Sequence, residues 1–116
     1  MKNFTTIKLP FNNQKFDILS SEIVMAESHL NYSEFTLLNG QKSLISYTLG
    51  NYEDMLCDMN FIRIHRKFLI NLEYVKSFRT SRDGGQVTLI NDTIMPISRR
   101  KVSNFKKQIN KLSRNN

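Results

Sequence analysis

Two apolar segments with a basic tripeptide between them occupy residues 61–72, where the sequence reads FIRIHRKFLINL. Runs of this length, rich in Ile and Phe, are typical of buried β-strands, which leaves His65-Arg66-Lys67 at the turn between two strands. A second basic cluster, Ser98-Arg99-Arg100-Lys101, follows another short apolar segment at residues 93–97. Two basic clusters at strand ends of a small fold indicate contact with an anionic partner such as a phosphate backbone.

Most of the remaining chain alternates between strand patterns and polar turns, which predicts a mainly β fold of antiparallel strands. Residues 68–78 are interpreted as one strand. Two segments change to helical spacing: residues 48–59, with Thr48 as N-cap, and residues 99–112, with Ser98 as N-cap. We therefore predict one short internal helix and one amphipathic C-terminal helix. The predicted turns are at residues 11–14, 39–40, 81–85 and 91–92.

The length of 116 residues predicts a single domain over residues 1–116, with one hydrophobic core and a frayed tail at residues 113–116. The apolar runs are only a few residues long, which predicts no membrane span, and the first residues lead into no signal-peptide region. The single cysteine, Cys57, excludes an internal disulfide and is expected to pack in the interior. This cysteine usage favours a reducing, cytoplasmic location.

The net charge of +7 is distributed unevenly along the chain. Residues 1–60 hold four basic and seven acidic residues, whereas residues 61–116 hold 13 basic and three acidic residues. Such asymmetry within one domain indicates an anionic partner. Charge alone is compatible with nucleic acid, an anionic membrane surface, an acidic protein, or basic residues that serve only solubility.

Signatures of catalysis and of metal binding are absent from the sequence. The two histidines, His29 and His65, have neither a cysteine nor paired carboxylates at metal-ligand spacing. The sequence contains no P-loop, no GxGxxG and no GxSxG pattern. We predict a protein that is not an enzyme, with no metal site and no cofactor.

Three motifs taken together resemble the LytTR family, the DNA-binding module of LytR/AlgR-type bacterial response regulators. They are F-x-R-I-H-R-x-F-L-I-N-L from Phe61, M-P-I-S-R-R from Met95, and E-I-V-M-A-E from Glu22 followed by Asn31-Tyr32. The resemblance covers about residues 7–112. It implies an elongated fold of about ten strands in small antiparallel sheets. It also implies DNA contact through loops and strand ends rather than through a recognition helix.

The resemblance further implies that three loops face one side of the duplex. Two would enter successive major grooves, and the third would lie over the minor groove between them. Family members commonly occupy direct repeats, so we expect two copies on double-stranded DNA and a role in bacterial transcription regulation. Because no receiver domain precedes the motifs, the chain is expected to be a stand-alone regulator or an excised output domain.

Matching by motif assigns the first loop to Asn31, Tyr32 and Ser33, the second to Arg66 and the third to Arg99. Two positions depart from the family pattern, because Lys67 replaces a common Ser and His29-Leu30 replace residues that are often small. The predicted DNA-binding residues are Asn31, Tyr32, Ser33, His65, Arg66, Lys67, Ser98, Arg99, Arg100 and Lys101.

Different roles are expected within this set. Arg99 is the candidate for base reading, since an arginine can donate two parallel hydrogen bonds to guanine. Arg66 is expected at the minor groove or a phosphate, and Lys67 at a phosphate. His65 is expected either to orient the turn through a hydrogen bond or to contact DNA. Arg63 is expected to pair with a carboxylate such as Glu27.

Two other classes of function remain open on the sequence. An RNA-binding module would need exposed aromatic residues, whereas Tyr47 and Tyr74 lie in apolar patterns. Tyr32 itself is compatible with a core position as well as with a base contact. A protein-interaction module would use a hydrophobic patch in place of the basic loops.

Overall fold

The structure is a computed structural model that describes residues 6–114. Within that range the strands are β1 (Thr6–Phe11), β2 (Gln14–Leu19), β3 (Ile23–His29), β4 (Tyr32–Leu37), β5 (Lys42–Ile45), β6 (Phe61–His65), β7 (Phe68–Asn71), β8 (Val75–Ser81), β9 (Gly84–Leu89) and β10 (Ile94–Ile97). The α-helices are α1 (Leu49–Leu56) and α2 (Val102–Arg114), and short 3₁₀ turns lie at Ser20–Glu22, Cys57–Met59, Leu72–Tyr74 and Arg99–Lys101. The predicted mainly β class, with an internal and a C-terminal helix, is confirmed.

The strands form three antiparallel sheets. Strands β1 and β2 make a hairpin, β10-β9-β8 make a three-stranded sheet, and β5-β4-β3-β7-β6 make a five-stranded sheet. In the five-stranded sheet, His29 pairs with Tyr32 and His65 pairs with Phe68. Residues 30–31 and residues 66–67 are therefore the tips of two hairpins. Because β3 and β7 are antiparallel neighbours, with Glu27 opposite Phe68, both tips lie at the same end of the sheet.

Buried side chains form two clusters, one on each face of the five-stranded sheet, so the prediction of one core is wrong. On one face, Ile23 and Leu69 pack with β1 and α1. On the other face, Val24 and Ile70 pack with β9, β10 and Phe105 of α2. Adjacent residues of one strand point to opposite faces, so a central strand that is apolar on both faces supplies both clusters. The predicted apolar stripe of α2 packs on the second cluster.

The predicted strand at residues 68–78 is broken in the structure, because β7 ends at Asn71 and a 3₁₀ turn precedes β8. The side chain of Asn71 is buried, and its Nδ2 donates to the carbonyl oxygen of Ile23 at 3.0 Å. Its Oδ1 accepts from the amide of Glu73 at 3.0 Å. An Asn side chain that bonds the backbone two residues ahead favours a turn over a continued strand, which explains the error.

Several local predictions also need correction. Thr48 and Ser98 occupy the positions before their helical segments, but neither side chain makes a capping hydrogen bond. The C-terminal helix begins with a 3₁₀ turn, in which the amide of Lys101 donates to the backbone oxygen of Ser98 at 2.8 Å. Cys57 is exposed rather than packed. The predicted frayed tail starts inside α2, and residues 115 and 116 lie outside the described residues.

Candidate nucleic-acid interface

Backbone hydrogen bonds connect the three predicted DNA-binding segments to one another. The amide of Ser28, near the end of β3, donates to the carbonyl oxygen of Lys67 at 2.8 Å. The amide of Ser98 donates to the carbonyl oxygen of Ile64 in β6, also at 2.8 Å. Hairpin 66–67 is therefore the centre of the arrangement, with hairpin 30–31 on one side and segment 98–101 on the other. The three segments, whose outermost residues are 71 positions apart in sequence, form one edge of the molecule.

The side chain of Arg63 holds hairpin 66–67 in its conformation. Its Nε donates to the carbonyl oxygen of His65 at 3.1 Å, and its Nη2 donates to the carbonyl oxygen of Arg66. Its Nη1 lies 3.1 Å from Oε1 of Glu53 in α1. The prediction that Arg63 pairs with Glu27 is wrong, because α1 packs beside β6 and its Glu53 supplies the carboxylate. Arg63 is therefore a supporting residue that leaves the side chains of the tip unconstrained.

His65 orients the same hairpin through its imidazole. Its Nδ1 accepts a hydrogen bond of 3.1 Å from the amide of Lys67, and its ring lies 5.5 Å from that of Phe68. Burial lowers the pKa of His65 below its ordinary value, and the neighbouring charges of Arg66, Lys67 and Arg63 lower it further. The neutral imidazole that accepts at Nδ1 carries its proton on Nε2, so it offers one donor to an anionic or carbonyl acceptor.

At the tip of hairpin 66–67, Arg66 and Lys67 are both exposed. In segment 98–101, Arg99 and Arg100 are exposed and Ser98 is half-buried. Lys101 differs, because it is half-buried and lines a separate cavity of about 200 Å³ between α1 and α2 together with Glu53 and Arg63. Four cations, Arg66, Lys67, Arg99 and Arg100, are therefore exposed at the edge. Lys101 instead lines the cavity between α1 and α2.

The predicted first loop splits into exposed and interior residues. Asn31 is exposed, and Tyr32 is 46% exposed rather than a core residue. Ser33 is fully buried, and its hydroxyl donates to the carbonyl oxygen of Tyr47 at 2.6 Å. This corrects the expectation for Ser33, because its side chain faces the interior. Leu30 precedes these residues at the hairpin tip, 94% exposed and with φ at 57°, a combination uncommon for a bulky residue.

An open cleft of about 380 Å³ extends the basic edge beyond the predicted residues. Arg99 shares it with Arg82 of the β8–β9 turn and Lys106 of α2, and the hydroxyl residues Ser81 and Ser103 complete much of the lining. Such a set of cations and hydroxyls suits a phosphate group. Local sequence patterns do not reveal this cleft, because its residues come from two segments that are separated in the chain, residues 81–82 and residues 99–106.

The β8–β9 turn approaches Arg99 closely because residues 84 and 85 are glycines. A Cβ atom on Gly84, which has φ at 139°, would lie 3.0 Å from the carbonyl oxygen of Ile97 and 3.8 Å from the amide nitrogen of Arg99. A Cβ atom on Gly85 would lie 2.7 Å from the carbonyl oxygen of Arg79. A side chain at position 84 would push the turn away from the segment that carries Arg99, whereas one at position 85 would push β9 away from β8.

Two further predictions about individual side chains are corrected. Tyr47, expected in an apolar setting, is 55% exposed, whereas the Tyr74 hydroxyl donates to the backbone oxygen of Ser21. His29, expected to lack paired carboxylates, lies beside Glu27 and Glu34 because the β3–β4 register brings all three together. The spacing of these residues in the sequence does not predict the cluster, because Glu34 belongs to the next strand.

Between residues 6 and 114, ten short strands in three sheets, with exposed cations at one edge, define a β-rich fold. The sequence profile of the LytTr DNA-binding domain matches residues 13–110, so the chain belongs to the LytTr DNA-binding domain family. The predicted family is therefore confirmed.

Comparison with known proteins adds structural support for the fold. A solved LytTr DNA-binding domain, from a Bacillus cereus protein described as a methyl-accepting/DNA response regulator, superposes with a TM-score of 0.79 at 20% sequence identity. The match covers 90% of this chain and 95% of the other chain. No curated protein matches the sequence significantly. None of the helices between residues 6 and 114 is both long and apolar enough to cross a membrane.

Proposed function

We propose that this chain binds double-stranded DNA in a sequence-dependent manner through hairpin 30–31, hairpin 66–67 and segment 98–101, and that it regulates transcription in a bacterial cytoplasm. The observation that carries the proposal is the pair of backbone hydrogen bonds that joins the three segments into one edge, Ser28 to Lys67 and Ser98 to Ile64. Membership of a DNA-binding family supports the nature of the partner.

Recognition would proceed in two parts. Arg66, Lys67 and Arg100 neutralise phosphates, which releases counterions and sets the position of the domain on the duplex. Arg99 then donates to a guanine edge, while Asn31 and Tyr32 contact base edges from the opposite side of hairpin 66–67. The neutral His65 contributes its Nε2 proton to an acceptor near the central hairpin.

The remaining parts of the proposal concern assembly. The residues act as one DNA-binding domain without a catalytic step, and the operator consists of direct repeats that receive two copies of the chain. Each copy presents one basic edge, so two neighbouring copies would occupy consecutive turns on the same side of the duplex. Cooperative occupancy of a two-repeat site, compared with a one-repeat site, measures this arrangement directly.

Binding to single-stranded nucleic acid is the second candidate, and a specific observation favours it. Tyr32 and Tyr47 are 46% and 55% exposed, and exposed aromatic rings are the surfaces on which unpaired bases stack. The basic edge would then follow a single-strand backbone. Tighter binding to single strands than to the matching duplex would favour this candidate over the first.

The testing experiment is selection of binding sites from a random duplex library at near-physiological salt. We expect repeated half-sites, and titrations of those sites should show weaker binding by Arg66→Ala and Arg99→Ala. The same titrations with each separated strand evaluate the single-strand candidate. Weak binding of every duplex with equal affinity and a steep salt dependence would contradict sequence-specific recognition.

A further inference from the structure

Strand pairing places an imidazole and two carboxylates beside hairpin 30–31. Glu27 of β3 is directly opposite Glu34 of β4, and His29 follows two residues later on the same face of β3. The Nε2 atom of His29 lies 3.7 Å from Oε2 of Glu27 and 3.5 Å from Oε1 of Glu34. One ligand atom from each residue lies within 4.8 Å of both others.

The two glutamates are in an unfavourable pairing unless a cation joins them. Like charges directly opposite each other on an antiparallel pair destabilise a sheet. Across residues 6–114, the imidazole of His29 is the one basic group within 4.0 Å of the Glu27 and Glu34 carboxylates, and no lysine or arginine lies at that distance. Their side chains are 34% and 30% exposed, so water screens the repulsion only in part.

The donor set and its spacing suit a divalent metal ion. One imidazole nitrogen and two carboxylate oxygens are ligands that zinc sites combine, at metal–ligand distances of about 2.0–2.2 Å. Tetrahedral ligands at those distances lie roughly 3.4 Å apart, whereas octahedral neighbours lie roughly 3.0 Å apart. The two separations that involve His29, 3.5 and 3.7 Å, are nearer the tetrahedral value, and the two carboxylates lie within 4.8 Å of each other. We propose that Glu27, His29 and Glu34 bind a Zn²⁺-class divalent ion, with the fourth position open to water.

Such an ion would act on the candidate DNA interface, a consequence that rests on the proposed function. It would bridge β3 and β4 one residue before the tip that carries Asn31. Ser28, between two of the ligands, also donates to the carbonyl oxygen of Lys67, so the bridge would extend to hairpin 66–67. The ion would also cancel two negative charges that otherwise repel an approaching phosphate.

Thermal unfolding of the full chain with Zn²⁺ and without DNA tests the site itself. We expect Zn²⁺ at tenfold excess over its dissociation constant to raise the Tm by about 5 °C, with a smaller rise for Mg²⁺. His29→Ala and Glu34→Gln should abolish the rise. Glu34→Gln should also leave the metal-free Tm equal to or above that of the wild type, because it removes the repulsion.

Two matched variants exclude other zinc sites. Glu22→Gln changes an exposed glutamate elsewhere on the chain, and Cys57→Ser removes the only thiol. Both should retain the Zn²⁺ response. No response in the wild type, or an unchanged response in His29→Ala, would overturn the proposal and leave the cluster as an ion-pair network.

Titration of the selected duplex with and without Zn²⁺ then tests the consequence for DNA. We expect about a threefold gain in affinity for the wild type and no gain for Glu34→Gln. A Zn²⁺ response in unfolding with no DNA binding under any condition would uphold the metal site and contradict the proposed function. DNA binding without a Zn²⁺ response in unfolding would contradict the metal site and leave the proposed function intact.

Discussion

Arg63 and Glu53 form an ion pair between strand β6 and helix α1, with Nη1 of Arg63 lying 3.1 Å from Oε1 of Glu53. The same guanidinium donates to the backbone oxygens of His65 and Arg66, at the tip of the central hairpin. The Arg63 side chain is 19% exposed and that of Glu53 is 40% exposed. The hairpin that we propose to contact DNA is thus fixed by a residue behind it, which is in turn positioned by a helix that carries no proposed DNA contact.

Replacing Arg63 with alanine should weaken DNA binding and also destabilise the fold. Two backbone oxygens lose a charged donor, which costs about 1–3 kcal/mol in the free energy of unfolding, measured by urea denaturation. Hairpin 66–67 also loses its support, so affinity for cognate duplex should fall even at temperatures where the variant is fully folded.

Glu53→Gln is the matched control for Arg63→Ala. It removes the ion pair but leaves both bonds from Arg63 to the backbone, and exposed ion pairs contribute only about 0–1 kcal/mol. DNA affinity should therefore change little. Equal losses of affinity in the two variants would show that the helix, rather than the backbone bonds, determines the hairpin conformation.

Arg99→Ala and Lys67→Ala should have different signatures in DNA titrations. Loss of a bidentate arginine–guanine contact should reduce discrimination between cognate and random duplex by about 1–3 kcal/mol. Loss of a phosphate contact at Lys67 should weaken all duplexes alike and reduce the salt slope by about one unit. Equal losses of Arg99→Ala on cognate and random duplex would contradict its base-reading role.

The lowered pKa of His65 predicts that acid destabilises the protein. The folded-state pKa lies below that of the unfolded chain, so the unfolded state binds more protons as the pH falls through about 6.5. The free energy of unfolding should decrease over that interval and level off below the folded-state pKa. His65→Gln should show a flatter profile between pH 8 and 5, since His29 is present in both proteins. Parallel profiles would contradict the prediction.

Two glycines should respond to alanine with opposite signs. Gly85→Ala places a Cβ atom 2.7 Å from the backbone oxygen of Arg79, which forces the β8–β9 turn to move and should cost about 1–3 kcal/mol. Gly50→Ala, in α1, meets only the Thr48 hydroxyl oxygen at 3.9 Å and should stabilise the fold by about 0.5–1 kcal/mol. Urea denaturation measures both. A neutral Gly85→Ala would show that the turn has room to shift.

Local signals in the sequence were enough to predict most elements of the fold. Asn12 and Asp92 adopt positive φ at predicted hairpin turns, and Gly40 does so at the predicted Asn-Gly turn. The apolar spacing of residues 102–112 correctly indicated the helix face that packs on the core. The errors arose where tertiary contacts decide, as at Asn71, whose bond to Ile23 joins residues 48 positions apart.

The exposed cations of the candidate site could be predicted from the sequence. The contacts that hold the site in place could not. The motifs located Arg66 and Arg99, which are exposed as expected. The partner of Arg63 and the burial of Ser33 depend on packing against α1 and on contact with Tyr47, respectively. Neither relation has a signature in linear spacing, because each joins residues at least ten positions apart.

The bonds that align the three segments run from amide to carbonyl oxygen, and most residue types can supply such bonds. The exposed side chains at positions 31, 66 and 99 take no part in them. The backbone arrangement of the three segments therefore does not depend on the side chains exposed at their tips. If these side chains contact DNA as we propose, mutation at the three positions would change which operator is recognised and leave the spacing between the contacts unchanged.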